Sequence, residues 1–219
     1  MIGIGVYWGS MKAVSYEQKL NDDSEWALRE GGTHFSNNNS VHKTLEKIAK
    51  QLDELGVDYA VAGAMALFFH GYRRFTEDVD IVVTADGLKE IHESLEGLGY
   101  RPLFEGSRGL RDVETGVRIE FLVAGEFPGD GKPKPVSFPI PEEVKVDIGG
   151  KKFVNFVKLM EMKLASGTAK GRRKDLGDAQ EVMRTLGLSR DFAQSLDASV
   201  RDVYWELWDE FQEAHDPPA

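Results

Sequence analysis

Between residues 40 and 123, short apolar strands alternate with helix-length segments, and this alternation limits the possible folds more than any other feature of the chain. Ser40 can cap a helix whose apolar residues keep to one face, and Gly56 is placed to stop it. The apolar runs of strand length are VDYAVAG (57–63), DVDIVV (78–83), YRPLF (100–104) and VRIEFLVAG (117–125). Strands that alternate with helices, followed by helices alone, predict an α/β domain with a C-terminal helical extension.

The chain divides into three predicted parts. Residues 1–39 have few apolar side chains and no sustained period, so we expect a weakly ordered N-terminal arm. Residues 40–150 form the α/β core, which ends in a proline-rich loop and a hairpin that turns at Gly149 and Gly150. Residues 151–219 are expected to be helical, with helices at about 155–166, 174–187 and 195–214.

Composition narrows the class of protein. The formal net charge is −10, the opposite sign from a protein that holds nucleic acid by general attraction to phosphates. The chain has no cysteine, which excludes disulfides and thiolate metal sites and fits a reducing cytoplasm. No apolar run approaches the roughly 20 residues that span a bilayer, and the first residues lack the pattern of a signal peptide. We therefore expect a cytoplasmic protein with no membrane partner.

Asp78 and Asp80 stand one residue apart where the strand 78–83 begins. Side chains two apart on a strand share a face, so the two carboxylates should lie together and raise each other's pKa. A divalent cation removes this repulsion, and Mg²⁺ often takes one or two carboxylates together with substrate phosphates. The alternative is that both aspartates face solvent at a strand end. Gly63 favours the metal site, because it ends a strand and opens a helix whose backbone N–H groups can hold a phosphate.

Glu120 is a third acidic residue, and it lies inside the apolar run VRIEFLVAG. On a strand it shares a face with Arg118. Burying an unpaired carboxylate is costly, so this position needs a reason. One reading is an ion pair with Arg118 or a neighbouring lysine. The other makes Glu120 a metal ligand or general base beside Asp78 and Asp80.

Taken together, these motifs resemble the nucleotidyltransferases of the DNA polymerase beta superfamily. The matching residues are AGA (62–64), DVD (78–80) and IEF (119–121). The segment GAMALFFHGYRRFTEDVDIVV (63–83) is similar to a minimal bacterial branch that includes abortive-infection toxins. The run from 158 to 187 resembles the later motif of that branch, a lysine on one helix followed by an arginine-rich turn and Lys-Asp-Leu-x-Asp. The chain departs from the family pattern at Ala64, which is often Ser or Gly, and at Glu120, which is usually Asp.

The resemblance implies a small mixed-sheet nucleotidyltransferase domain that moves a nucleoside monophosphate from an NTP to a hydroxyl of RNA, a protein or a small molecule. Asp78, Asp80 and Glu120 would bind Mg²⁺ or Mn²⁺, and Glu120 would also help to deprotonate the attacking hydroxyl. Gly63 and Ala64 would hold phosphates through backbone N–H groups. A toxin role would add an antitoxin as a partner protein.

The resemblance also places residues from the loop and the later helices at the nucleotide. Lys163 would reach the phosphates, unless it is an ordinary surface lysine. Asp175 and Asp178 would bind ribose or orient Lys163, unless they are exposed in a first helical turn. Arg74 and Thr76 lie at the same site and are expected to brace the loop. A basic island could bind the triphosphate or an RNA acceptor, or could be a solvated turn, and it consists of Lys170, Arg172, Arg173 and Lys174.

A second hypothesis comes from a different class of protein. The same domain could be catalytically silent and serve in protein contact or nucleotide sensing. The last helix, with Trp205 and Trp208, would then offer a surface to a partner.

Overall fold

The computed structural model describes residues 14–128 and 132–215, and the first thirteen residues of the predicted arm lie outside this range. The strands are β1 (Tyr59–Val61), β2 (Asp78–Val83), β3 (Tyr100–Pro102), β4 (Leu110–Asp112), β5 (Arg118–Val123), β6 (Lys145–Ile148) and β7 (Lys151–Val154). The α-helices are α1 (Tyr16–Asp22), α2 (Ser24–His34), α3 (Ser40–Leu55), α4 (Gly63–Phe69), α5 (Ala85–Leu95), α6 (Pro141–Val144), α7 (Phe156–Gly167), α8 (Arg173–Leu186) and α9 (Ala198–His215). A 3₁₀ helix spans Arg190–Ser195.

All seven of these strands form one sheet in the order β3-β4-β5-β2-β1-β7-β6. The sheet is mixed, because β2 is parallel to β5 and β1 is parallel to β7, while the remaining pairs are antiparallel. The interior strand β1, which pairs with β2 on one edge and β7 on the other, is buried along its whole length. The predicted α/β class and the C-terminal helices are confirmed.

The predicted helical region from residue 151 begins later than expected. Gly149 and Gly150 both take positive φ angles, which glycine adopts without strain, and they turn the chain back from β6 into β7. Because Val61 of β1 pairs with Phe153, β7 belongs to the sheet. Helix α7 starts only after Asn155 caps it through the backbone N–H of Lys158. It packs against α8 and α9.

The prediction of a weakly ordered arm is wrong for residues 16–34, which form α1 and α2. Local capping explains part of this order, since Ser15 and Gln18 form a capping box at the start of α1. Tyr16 is buried against Trp26 with ring centroids 5.3 Å apart, and its hydroxyl donates to Glu30 at 3.0 Å. A few well-placed side chains therefore order a segment whose overall apolar content is low.

Two buried histidines connect this arm to the loop between α4 and β2. His34 Nε2 donates to the carbonyl oxygen of Arg74 at 2.9 Å, so its Nδ1 accepts from the amide of Asn39 at 3.1 Å. Asn39 Oδ1 in turn accepts from His42 Nδ1 at 2.8 Å. His42 Nε2 is left buried with no hydrogen-bond partner among the described residues. These bonds require His34 to be neutral, and a proton on His42 Nε2 would be buried with no acceptor among the described residues, so His42 is neutral as well.

Acidification should destabilise the fold through this histidine pair. Burial lowers the pKa of both rings, and together with the charge of His34 it brings the pKa of His42 to about 4. A histidine that is neutral when folded takes up a proton on unfolding, so stability holds above about pH 6.5 and falls below it. For His42, the expected decrease in the free energy of unfolding reaches about 3 kcal/mol by pH 4. Denaturant unfolding between pH 4 and 8 measures this.

A matched pair of variants separates the buried histidine from other acid effects. His42→Phe should flatten the fall in stability between pH 6.5 and 4, while His92→Gln, at a surface position, should leave it unchanged. Equal acid sensitivity of His42→Phe and the wild type would contradict this account.

Among the described residues, no helix has both the length and the apolar character to cross a bilayer.

Candidate active site

A cleft of about 670 Å³ lies between the face of the sheet that carries β2 and β5 and the helices α7 and α8. All ten residues that the sequence predicts for a nucleotide site line this cleft: Gly63, Ala64, Arg74, Thr76, Asp78, Asp80, Glu120, Lys163, Asp175 and Asp178. The fold therefore brings together residues from two strands, two helices, a glycine turn and a loop.

Gly63 lies directly against the side chain of Asp80. The backbone N–H of Ala62 donates to the carbonyl of Asp80 at 2.8 Å, which holds the end of β1 against β2. Gly63 follows with a φ of 60°, a left-handed conformation that favours glycine. A Cβ atom on this residue would stand 1.9 Å from Asp80 Oδ2. Only glycine fits here, so the aspartate side chain lies directly against the turn.

The three acids converge as a result of strand pairing. In the parallel pair β2 and β5, Asp80 is opposite Glu120, and Asp78 is opposite Arg118. Asp78, Asp80 and Glu120 are all partly exposed, while the alternate residues of both strands point into the core. Burial of the Asp80 carboxyl raises its pKa to about 7, and the charges of Asp78 and Glu120 add to this shift. Asp80 thus lies in a strongly negative environment that a cation would relieve.

The positively charged side chain of Arg118 contacts two of these three carboxylates. Its guanidinium donates to Asp78 Oδ2 at 2.8 Å and lies 3.2 Å from Glu120 Oε1. The ion pair with Arg118, one of the two readings of Glu120, is therefore present. In the described part of the chain, no group of three acidic or histidine side chains is arranged closely enough to hold a metal ion without movement.

The oxygen donors nevertheless fit a divalent cation. Asp80 has no hydrogen bond or ion pair to any described side chain, so its oxygens are available as ligands. Thr76 is buried and donates its hydroxyl to Asp78 Oδ1 at 2.7 Å, which fixes the orientation of that carboxylate. Carboxylates held in this way on adjacent strands are the ligand type that Mg²⁺ prefers. If Arg118 released Asp78 and Glu120, all three carboxylates would be available as metal ligands.

Lys163 is buried, which excludes the surface-lysine reading. Its ammonium donates to Asp175 at 2.8 Å and to Asp178 at 2.7 Å, so both aspartates also lie in the interior rather than on an exposed helical turn. Arg74 joins from the loop and donates to Asp178 at 2.8 Å, which ties that loop to α8. Two acids and two cations thus form one network on the helical wall of the cleft.

Two further residues belong to this network: Ser166, which the sequence did not indicate, and Arg172, which it indicated only as part of the basic island. Ser166 donates to Asp175 Oδ2 at 2.7 Å, and Arg172 Nε donates to the same oxygen at 2.8 Å. Burial acts to raise the pKa of Asp175, but Lys163 and these hydrogen bonds outweigh it and lower the pKa. Ser166 lies three residues after Lys163 on α7, and this helical spacing was the available signal for its contribution.

His70 and the two tryptophans of the last helix all contact other parts of the chain. His70 ends α4 and donates through Nε2 to the carbonyl of Val154 at 2.8 Å, so it joins a helix to β7. Trp208 packs on the core and donates its indole N–H to Leu188 at 3.0 Å, and Trp205 lies under the guanidinium of Arg190 at 5.4 Å. These contacts hold both tryptophans partly buried against the chain itself.

No protein-family model matches the chain, and no curated protein sequence matches it significantly. Among solved structures, it is similar to ANT(2'')-Ia in complex with adenylyl-2''-tobramycin, at 14% identity over 80% of this chain and 98% of that one, with a TM-score of 0.48. It is also similar to an antigenic nucleotidyltransferase-like protein from Paracoccidioides brasiliensis, at 16% identity over 78% of this chain and 91% of that one, with a TM-score of 0.44. A third similar structure is JHP933 from Helicobacter pylori, at 15% identity over 80% of this chain and 90% of that one, with a TM-score of 0.45. At such identities, neither substrates nor residue roles transfer to this chain.

Proposed function

We propose that the protein is a metal-dependent nucleotidyltransferase, which moves a nucleoside monophosphate from an NTP to a hydroxyl acceptor. The observation that carries the proposal is that Asp78, Asp80 and Glu120 lie on two paired strands lining one cleft, with Asp80 directly against the turn at Gly63. Clustered carboxylates suit a divalent cation, and a backbone turn without a side chain suits a phosphate, so the two together fit a metal-bound nucleotide.

In the proposed reaction, the acceptor hydroxyl oxygen attacks the α-phosphorus of the NTP. The bond between the α-phosphorus and the bridging oxygen breaks, and pyrophosphate leaves. Glu120 accepts the hydroxyl proton, directly or through water. Gly63 and Ala64 present backbone N–H groups to the phosphates, and the absent side chain at Gly63 permits close approach.

Asp78, Asp80 and Glu120 are the residues that would hold Mg²⁺ or Mn²⁺. When bound, the metal supplies charge stabilisation at the entering and leaving oxygens. Thr76 orients Asp78 for metal binding. In the absence of a metal, Arg118 neutralises the charges of Asp78 and Glu120. The network of Lys163 with Asp175 and Asp178 fixes the opposite wall of the cleft.

A second candidate is a catalytically silent module with the same fold. The ion pairs of Arg118 favour it, since a guanidinium already satisfies two of the three acids. The acceptor class, a toxin role, an antitoxin partner and a cytoplasmic location stay predictions from the sequence resemblance.

The position of an isotope label in the NTP distinguishes the transferase from the silent module. Purified protein is incubated with Mg²⁺, a cell extract and each NTP, labelled in turn at the α- or the γ-phosphate. Transfer predicts that the α-label enters RNA, protein or a small molecule, while the γ-label is released as pyrophosphate. The variant Asp78→Asn should lose both signals, because it removes a ligand of the metal. NTP binding without any transfer would favour the silent module, and the absence of both binding and transfer would contradict the two candidates together.

A further inference from the structure

Six cationic side chains line the cleft, and they differ in whether they form ion pairs. These residues are Arg74, Arg108, Arg118, Lys163, Arg172 and Lys174. Each of the first five forms an ion pair with an acid that also lines the cleft. To bind a phosphate, any of these five would have to share or abandon a carboxylate at short distance, which opposes the gain.

Lys174 is the exception. It follows Gly171 at the rim of the cleft and is exposed, and its side chain has no hydrogen bond or ion pair with any described residue. Lys170 and Arg173 share the same turn and the same lack of described partners, but neither lines the cleft. In a chain with a formal net charge of −10, this ammonium at the mouth of the candidate active site is thus not paired with any described residue.

We propose that Lys174 binds the β- and γ-phosphates of the incoming nucleotide and so sets the preference for triphosphates over monophosphates. This inference rests on the proposed function and names the residue that selects the substrate's phosphate tail. The acids and the glycine turn lie on the sheet side of the cleft, whereas Lys174 lies at the start of α8 on the helical side. Both sides line one cleft, so the proposal requires the triphosphate tail to extend from the sheet to the helical side. A lysine suits that position, because it acts as a point charge that can follow a mobile phosphate.

Binding measurements on Lys174→Ala test the inference, with Lys170→Ala as the control of equal charge change on the same turn. Isothermal titration with Mg²⁺ compares the four NTPs, the four NMPs and inorganic triphosphate. Lys174→Ala should weaken the binding of NTPs and inorganic triphosphate about 5- to 20-fold and change NMP binding less than about 2-fold. Lys170→Ala should leave all affinities within about 2-fold, and Lys174→Arg should retain most of the NTP affinity.

The outcomes distinguish this inference from the proposed function. If the wild type binds NTPs and Lys174→Ala behaves like Lys170→Ala, Lys174 has no such role, while the proposed function stands. An equal loss for NMPs and NTPs would also overturn the preference, because it would place Lys174 at the α-phosphate or the nucleoside. If the wild type binds neither NTPs nor inorganic triphosphate, the proposed function and the role of Lys174 both fail.

Discussion

Asp80→Asn should abolish nucleotide transfer and, in metal-free buffer, should make the protein more stable. Loss of a metal ligand removes several kcal/mol of transition-state stabilisation, which lowers the rate at least about 10³-fold. The stability gain has a separate cause. Burial and the neighbouring charges of Asp78 and Glu120 both disfavour the ionised form of Asp80. Asparagine keeps the shape of the side chain without the charge. With allowance for partial exposure, we expect a gain of about 1 kcal/mol at pH 8.

Transfer assays and urea unfolding measure the two effects on the same preparations. The control is Asp22→Asn, an exposed residue at the end of α1, which should change stability by less than about 0.5 kcal/mol and leave activity intact. Added Mg²⁺ should stabilise the wild type more than Asp80→Asn, because only the wild type has the full set of ligands. A variant that keeps its activity, or that is clearly less stable than the wild type, would contradict the assignment of Asp80.

Lys163→Met should be among the most destabilising single substitutions in the chain. The Lys163 side chain is 10% exposed, and those of Asp175 and Asp178 are 10% and 8% exposed. Removal of the shared cation leaves two buried carboxylates close together, and breaking such a pair typically costs about 3 to 5 kcal/mol. Arg74 and Arg172 partly compensate, so we expect the lower end, about 3 kcal/mol, in urea unfolding at pH 7.

Two further variants identify the cause of that loss. Lys89→Met removes an exposed lysine paired with Glu93 at 3.8 Å, and it should cost at most about 0.5 kcal/mol. The triple variant Lys163→Met, Asp175→Asn, Asp178→Asn should recover part of the lost stability, because it removes the stranded charges. If Lys163→Met matched Lys89→Met, the network would not contribute to the fold as described.

The sheet-side half of the candidate site could be predicted from sequence, because it depends on local rules. Strand alternation puts Asp78 and Asp80 on one face, and a glycine between a strand and a helix marks Gly63. The pairing of β2 with β5, which brings Glu120 opposite Asp80, is not local. From the residues alone, a place for Glu120 beside Asp78 and Asp80 was one of two readings, and the family resemblance favoured it.

The sequence left open which charges pair, and the structure resolves this in three places. Arg118 was one of two readings for Glu120, and it proves to contact Asp78 as well. Lys163 could have been exposed, since burial of a lysine depends on partners from another helix, here Asp175 and Asp178. The histidine pair in the arm was missed entirely, because its bonds join residues from three segments of the chain.

Anomalous diffraction from crystals grown with Mn²⁺ and a non-hydrolysable NTP tests the central claim most directly. The account predicts a manganese peak within about 2.5 Å of oxygens from Asp78 and Asp80, the triphosphate against Gly63, and Arg118 released from Asp78. A nucleotide bound in the cleft with no metal at Asp78 and Asp80, and with Arg118 still paired to Asp78, would contradict it.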